Sequence, residues 1–216
     1  MRSNHCVESV PPLAHIAGGS PKGAPFAYIG EMNSPPDDDR PNDQVRCNVE
    51  LKARLRSLDS ARKIAKSLAT SQLPDQHQVD TYFRCHQGRL KLREIDGGPA
   101  QLISYQRPDT TAAKPSRYYL IDVPDPAAML QGLGEALGIL VRVKKHREIY
   151  FYENVRIHLD QVERLGSFLE FEAVLEREEQ IEQGETVVSW LQGQFAIQGE
   201  DLLTSSYSDM LNDARQ

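Results

Sequence analysis

The sequence predicts an α+β chain, mainly antiparallel β, in which a closed eight-stranded barrel forms a tunnel and helices pack outside it. Three observations lead there. Charged and apolar residues alternate on segment after segment, as in Asn48-Val49-Glu50-Leu51-Lys52-Ala53-Arg54 and Arg89-Leu90-Lys91-Leu92-Arg93. Alternate residues of a strand face opposite sides of a sheet, so one face of each strand is charged and the other apolar. Segments with a helical apolar stripe are interleaved among the strands and suit the task of covering an apolar outer face. Short glycine turns such as Asp96-Gly97-Gly98 favour a meander, and closing it removes exposed edges. A barrel of about eight strands encloses side chains or one small ligand.

Residues 1–44 hold seven of the thirteen prolines and the run Asp37-Asp38-Asp39 without any structural period, which reads as a disordered N-terminal tail. Met32 stands just before the first strand pattern as an alternative start. The ordered domain runs over 45–216. A strand at about 46–55 leads to a helix near 58–70, with Asp59 as its candidate N-cap. Strands follow near 78–85, 88–95, 100–107 and 117–123. A helix at 125–137 has Asp125 as cap, Pro126 at its first position, Met129, Leu130, Leu133 and Leu137 as its stripe, and Gly138 as its stop. Strands return near 140–151, 153–160 and 167–176. A third helix spans roughly 178–195, with Ile181, Gly184, Val188, Leu191 and Phe195 on one face and Trp190 expected in the core. Ser206-Tyr207-Ser208 begins a short helical or extended closing segment.

The chain has 216 residues, a formal net charge of -6 and a pI of about 5.5. Nonspecific nucleic-acid binding rests on excess positive charge, so an acidic chain argues against it. Cys6, Cys47 and Cys85 are odd in number and lack metal-site spacing, which points to reduced thiols and a cytoplasmic setting. No apolar run approaches the roughly 18 residues of a membrane span. A homodimer is compatible with the sequence.

The distinctive signal is the recurrence of cations and carboxylate pairs on the polar faces of six strands. Tyr105-Gln106-Arg107, Lys145-His146-Arg147, Arg156-Ile157-His158-Leu159-Asp160 and Phe168-Leu169-Glu170-Phe171-Glu172 repeat it. Cations gathered in one concavity imply a polyanionic ligand, and carboxylates among them imply a divalent metal bridging protein and phosphate. The same segments, in order, resemble the CYTH superfamily, which contains class IV adenylate cyclases, thiamine triphosphatases and other triphosphate tunnel metalloenzymes. Residues 48–54 are similar to its Glu-x-Glu-x-Lys signature, and the likeness runs through Gly88–Glu94, Tyr105–Pro108, Val143–Arg147, Arg156–Asp160, Leu165–Glu172 and Ser206-Tyr207.

The resemblance implies a tunnel that takes a triphosphate-bearing small molecule such as ATP, thiamine triphosphate or inorganic triphosphate. It implies phosphate contacts from Lys52, Lys91, Arg93, Arg107, Lys145 and Arg147, with Lys52, Arg107 and Lys145 the catalytic cations. Glu50, Glu170 and Glu172, with Asp160 as a further candidate, would hold Mg2+ or Mn2+. The expected activity is that of a class IV-type adenylate cyclase. The alternatives are a triphosphatase and a noncatalytic polyphosphate- or nucleotide-binding module. Two departures stand out. Asn48 occupies the place of the signature's first glutamate, which removes a charge from the metal site. Asn42-Asp43 stand where class IV cyclases often carry His-Phe. His158 reads as a hydrogen-bonded structural histidine, and Tyr82, Tyr105 and Tyr207 as packing residues.

Overall fold

The computed structural model describes residues 46–106, 110 and 112–214. The expected tail, the Asp37–Asp39 run, Asn42-Asp43 and Arg107 lie outside the described residues. Eight strands close a barrel in the order β1-β5-β4-β3-β2-β6-β7-β8, antiparallel throughout. They are β1 (Arg46–Arg54), β2 (Ser71–Phe83), β3 (Arg89–Ile95), β4 (Ala100–Gln106), β5 (Lys114–Val123), β6 (Ile139–Tyr152), β7 (Val155–Val162) and β8 (Gly166–Leu175). Closure comes from β1, which pairs with β5 on one side and β8 on the other. Among the described residues there are four α-helices: α1 (Leu58–Leu68) and α2 (Pro126–Leu137) lie between strands, and α3 (Ile181–Gln194) and α4 (Tyr207–Asp213) follow β8.

The alternation seen in the sequence becomes an inside and an outside. Val49 and Leu51 of β1, Ile157 and Leu159 of β7, and Leu169 and Phe171 of β8 face outward into the main apolar core, where Ala61 and Ala65 of α1 and Val188 and Leu191 of α3 meet them. A smaller core lies under α2, where Met129, Leu130 and Leu133 pack on Phe83, Leu92, Ala100 and Val123. These two greasy layers sit between barrel and helices, and the charged faces line the bore together with a third apolar cluster that includes Tyr82, Val143 and Phe168.

Several local expectations need correction. Ser57, not Asp59, caps α1: its extended backbone precedes the helix and its side chain accepts from Ser60 N at 3.2 Å. Asp59 sits inside the first turn and accepts from Arg62 at 2.5 Å. β2 starts seven residues before the expected 78, because its first half carries no apolar alternation. Pro74 removes a ladder donor there, and the register against β6 shifts between Leu73 and Gln76. The third helix begins as a 3-10 turn at Glu178–Gln180 before α3 proper. Leu137, expected in the α2 stripe, is 38% exposed. Trp190 is only partly buried and stacks on Tyr152 at a centroid distance of 5.1 Å. Asp125, Pro126 and Gly138 delimit α2 as expected, and Gly138 has a φ of 78°.

At Gly184, α3 packs tightly on the barrel. A Cβ there would lie 3.1 Å from Val49 Cγ2 and 3.2 Å from Leu175 Cδ2. Gly184→Val should therefore overpack this contact and cost about 1–3 kcal/mol, read as a lower urea midpoint with an unchanged slope.

Candidate active site

Inward-facing positions follow from strand parity and from the contacts the side chains make. On β2 they include Gln78, Asp80 and Tyr82; on β3, Lys91 and Arg93; on β6, Lys145 and Arg147. Asp80 is the hub of this half. It is 1 % exposed. Lys91 Nζ donates to its Oδ2 at 3.0 Å, Lys145 Nζ to the same oxygen at 3.2 Å, and Arg93 engages both oxygens at 2.8 and 3.0 Å. Register explains the convergence, since Asp80 lies opposite Arg93 on one neighbour and Val143, two residues from Lys145, on the other.

The other half gathers around Arg147. Its guanidinium forks onto Asp160, with both bonds 2.6 Å, and its Nη2 also donates to Glu170 at 2.9 Å. Glu170 is shared with Lys52 Nζ at 3.1 Å. One step further along β8, Glu172 accepts from Asn48 Nδ2 at 2.5 Å and from Arg156 at 3.2 Å. Glu50 lies directly opposite Glu172 in the β1–β8 ladder and opposite Lys114 in the β1–β5 ladder. His158 stands between the β8 acids, its Nδ1 3.9 Å from Glu170 and its Nε2 3.8 Å from Glu172.

α4 covers one end of this arrangement. Tyr207 and Leu211 join Tyr82, Val141, Val143, Val162 and Phe168 in an apolar cluster. The Tyr207 hydroxyl donates to Asp160 at 2.9 Å, and Lys52 Nζ lies 3.9 Å from the ring centroid. Ser206 and Asp209 form a capping box at the helix start, and Arg89 grips Asp209 at 3.0 Å.

Crowding of charge in a buried space shapes the titration of these groups. Burial alone would raise the Asp80 carboxyl, but Arg93, Lys145 and Lys91 outweigh it and hold it well below the usual range. The lysines move down as well, although they pair with that acid. Burial, reinforced by Arg147, pushes Lys145 down to about 7, and burial with Arg93 pushes Lys91 down to about 8. One carboxylate divided among three cations compensates each of them only in part. Burial opposes ionisation of Glu170 and Asp160 too, yet Lys52 beside the first and Arg147 beside the second keep both below their ordinary values. His158 is pushed down to about 4, first by burial and then by Arg147, and is a neutral imidazole at pH 7.

The structure thus brings Lys52, Lys91, Arg93, Lys145 and Arg147 together with Glu50, Asp160, Glu170 and Glu172 on the inner wall of one barrel. Asp80 was missed in the sequence because it stands alone between uncharged neighbours, though its place in the alternation Gln78, Asp80, Tyr82 was a readable signal. Tyr207, expected as packing, does pack, and also hydrogen-bonds an acid of the site. Among the described residues, no three His, Cys, Asp or Glu side chains are disposed as they stand to hold a metal ion. Glu170 and Glu172 are turned onto cations, and both Asp160 oxygens are engaged by Arg147 and Tyr207. The chemistry of the donor set still fits a hard divalent ion: the carboxylates are ionised, and Asn48 Oδ1, buried beside Glu172, has no hydrogen-bond partner among the described residues.

A family model described as the CYTH domain matches residues 46–207. None of the curated proteins compared with the chain matches it. Among solved structures, a Pyrococcus horikoshii OT3 protein is 22% identical with a TM-score of 0.68, covering 75% of this chain and 98% of its own. A Vibrio parahaemolyticus protein, described as a proposed adenylate cyclase, is 22% identical with a TM-score of 0.63, covering 76% and 97%. A Hippeastrum protein, described as a proposed adenylyl cyclase that reveals a dominant triphosphatase activity, is 13% identical with a TM-score of 0.54, covering 79% and 96%. At these identities the likeness to solved structures shows the fold alone.

Proposed function

Since the chain belongs to the CYTH domain family, we propose that it is an enzyme that seats a triphosphate group in the bore and cleaves it there with a divalent ion, Mg2+ or Mn2+. Its leading reading is a class IV-type adenylate cyclase that converts ATP to cyclic AMP and pyrophosphate. The observation that carries the proposal is the cation set itself. In a chain of net charge -6, buried lysines and arginines from β1, β3 and β6 converge inside one barrel. Such a cluster is costly to bury and is accounted for by a ligand with several negative charges in a short span.

The residues then divide the work. Arg93 and Arg147 offer planar forks to phosphate oxygens, while Lys52, Lys91 and Lys145 act as compact charges. Asp80 and Asp160 keep the forks aimed before substrate arrives. Negative charge that develops on the leaving phosphates is met by groups already in place, so little reorganisation is needed at the moment of reaction. Glu50, Glu170 and Glu172 would hold the metal, which when bound supplies Lewis-acid stabilisation of phosphate oxygens. Phosphate oxygens competing for Lys52 and Arg147 would release Glu170 for that task.

A second reading is a triphosphatase, in which water attacks the terminal phosphorus in the same bore. It is favoured by Asn42-Asp43 in the place of the His-Phe pair of class IV cyclases. Both kinds of activity are named among the structural relatives. Incubation with ATP and Mn2+ decides between them: cyclic AMP with pyrophosphate supports the cyclase, and orthophosphate from ATP or tripolyphosphate supports the hydrolase. Binding without either product would sink both. In either case Lys52→Ala should lower kcat by about 10²–10³ in a chain that still folds, with a reduced melting temperature because Glu170 loses its lysine.

The depressed lysines predict a pH effect. Below about 7, Lys145 and Lys91 are both charged; above about 8 both lose charge. A polyanion favours their protonated forms, so a non-hydrolysable ATP analogue should bind with net proton uptake at pH 8 and lose affinity as the pH rises. Calorimetry at pH 8 in buffers of different ionisation enthalpy reads this directly. Enthalpies that do not vary with buffer would show the lysines to be charged already.

A further inference from the structure

Gln78 carries a buried acceptor with no role in the site described so far. It is 2% exposed on the inner face of β2, and its Oε1 has no hydrogen-bond partner among the described residues. Its Nε2 donates to Gln76 Oε1 at 2.6 Å, and exchanging the two ends of the Gln78 amide would set oxygen against oxygen. The orphan is therefore the oxygen. A buried acceptor without a donor is costly, and one on the wall of a bore calls for a ligand that brings the donor.

The place of Gln78 along the bore says which part of a ligand this is. On β2, Tyr82 joins the apolar cluster with Tyr207, and Asp80, two residues back, gathers Lys91, Arg93 and Lys145. Gln78 is the next inward residue, one step beyond Asp80 and farther from α4, opposite Ile95 on β3 and Lys145 on β6. The wall that β4 and the facing half of β5 contribute carries no cation: Gln101, Ile103 and Tyr105 lie opposite Asp122, Leu120 and Tyr118. A carbonyl oxygen repels phosphate oxygens, and a wall without cations does not hold them. Both suit the uncharged group that an organic triphosphate carries next to its phosphates.

We propose that Gln78 Oε1 accepts a hydrogen bond from a sugar hydroxyl of the substrate, and that this bond makes the bore prefer a ribonucleoside triphosphate to inorganic triphosphate. The sugar follows the phosphates directly in such a molecule, and its hydroxyls are the first donors beyond them. With the phosphates held by the cations around Asp80 and Arg147, the ribose falls at the Gln78 step. Gln76, by taking the amide N–H, keeps the oxygen turned toward it. A site built to pair a hydroxyl rejects an analogue that lacks it, because the buried acceptor is then left unpaired. The inference rests on the proposed function and names the substrate class within it.

The test uses the full chain and methylene-bridged ligands, which are not cleaved: the triphosphates of adenosine and of 2′,3′-dideoxyadenosine, and tripolyphosphate. Calorimetry in Mg2+ should show the adenosine analogue binding about tenfold more tightly than the dideoxy analogue, the effect of one buried hydrogen bond. In Gln78→Met the two should bind alike, with the affinity for tripolyphosphate unchanged. Equal affinities in the native chain overturn the proposal, and so does a gap that persists in Gln78→Met. A variant that loses tripolyphosphate as much as the adenosine analogue overturns it too, because Gln78 would then serve phosphate through its amide N–H. Gln78→Leu takes the place of Gln78→Met should the latter not fold, and the native comparison stands without either. If tripolyphosphate binds and the hydroxyls make no difference, only this inference falls. If none of the three ligands binds, the triphosphate reading falls and this inference with it.

Discussion

Arg147→Ala is expected to abolish turnover and to lower the unfolding free energy by about 3–5 kcal/mol at pH 7. The guanidinium forks onto Asp160, which is 0 % exposed, and it also holds Glu170. Without it Asp160 loses its forked partner in a space that burial makes hostile to a carboxylate, and Glu170 is left with Lys52. The penalty depends on pH in a definite direction. In the native chain both acids have depressed folded values, so their stabilisation is present above the ordinary carboxylate range and is lost as the pH falls. In Arg147→Ala the Asp160 carboxyl loses the cation that chiefly outweighs its burial, so its folded value rises and the stability it contributes above the carboxylate range falls, while Glu170 keeps Lys52. The gap between the two proteins should thus be largest near neutrality and shrink toward pH 4. Urea unfolding across that range measures it, and a gap that does not change with pH would show that Arg147 does not carry these carboxylates. Arg147→Lys should recover part of the stability, since charge returns, but little of the activity, since the fork does not.

Asp80→Asn is the complementary experiment, because it removes the acid and leaves the cations. Lys91, Arg93 and Lys145 would share a neutral amide in place of the carboxylate that now binds all three. The expected cost is again about 3–5 kcal/mol, with an opposite remedy: added polyanion should rescue the fold. Tripolyphosphate should raise the melting temperature of Asp80→Asn by more than that of the native chain. It should also bind roughly tenfold more tightly, because a competing negative charge has gone. Turnover should nonetheless fall, because Asp80 is what aims the two lysines and the Arg93 fork. Equal thermal shifts in the two proteins would mean that the phosphate does not reach this cluster, and the site would have to be sought elsewhere on the barrel.

The two substitutions show where the reading of the sequence was strong and where it stopped. Alternation along β1, β3, β6, β7 and β8 named Lys52, Lys91, Arg93, Lys145, Arg147, Asp160, Glu170 and Glu172 as residues of one face, and the structure places them in one bore. Helix boundaries were legible wherever a local signal existed, as with Asp125, Pro126 and Gly138 around α2. Before α1 the expected cap, Asp59, falls inside the first turn, and Ser57 caps the helix instead. Asp80 escaped because it does not sit in a run of like charges, and it counts only through its neighbours on other strands.

Strand parity is a property of the backbone itself, with a period of two wherever a strand forms, so which residues share a face was decided by the sequence alone. Which acid meets which cation was not. Glu172 meets Asn48 through the β8–β1 ladder, more than a hundred residues apart in the chain, and Asp80 meets Lys145 through the β2–β6 ladder. Those partnerships depend on the order and register in which the barrel closes. Register is fixed by how the apolar outer faces seat against α1, α2 and α3, and only the folded chain expresses it.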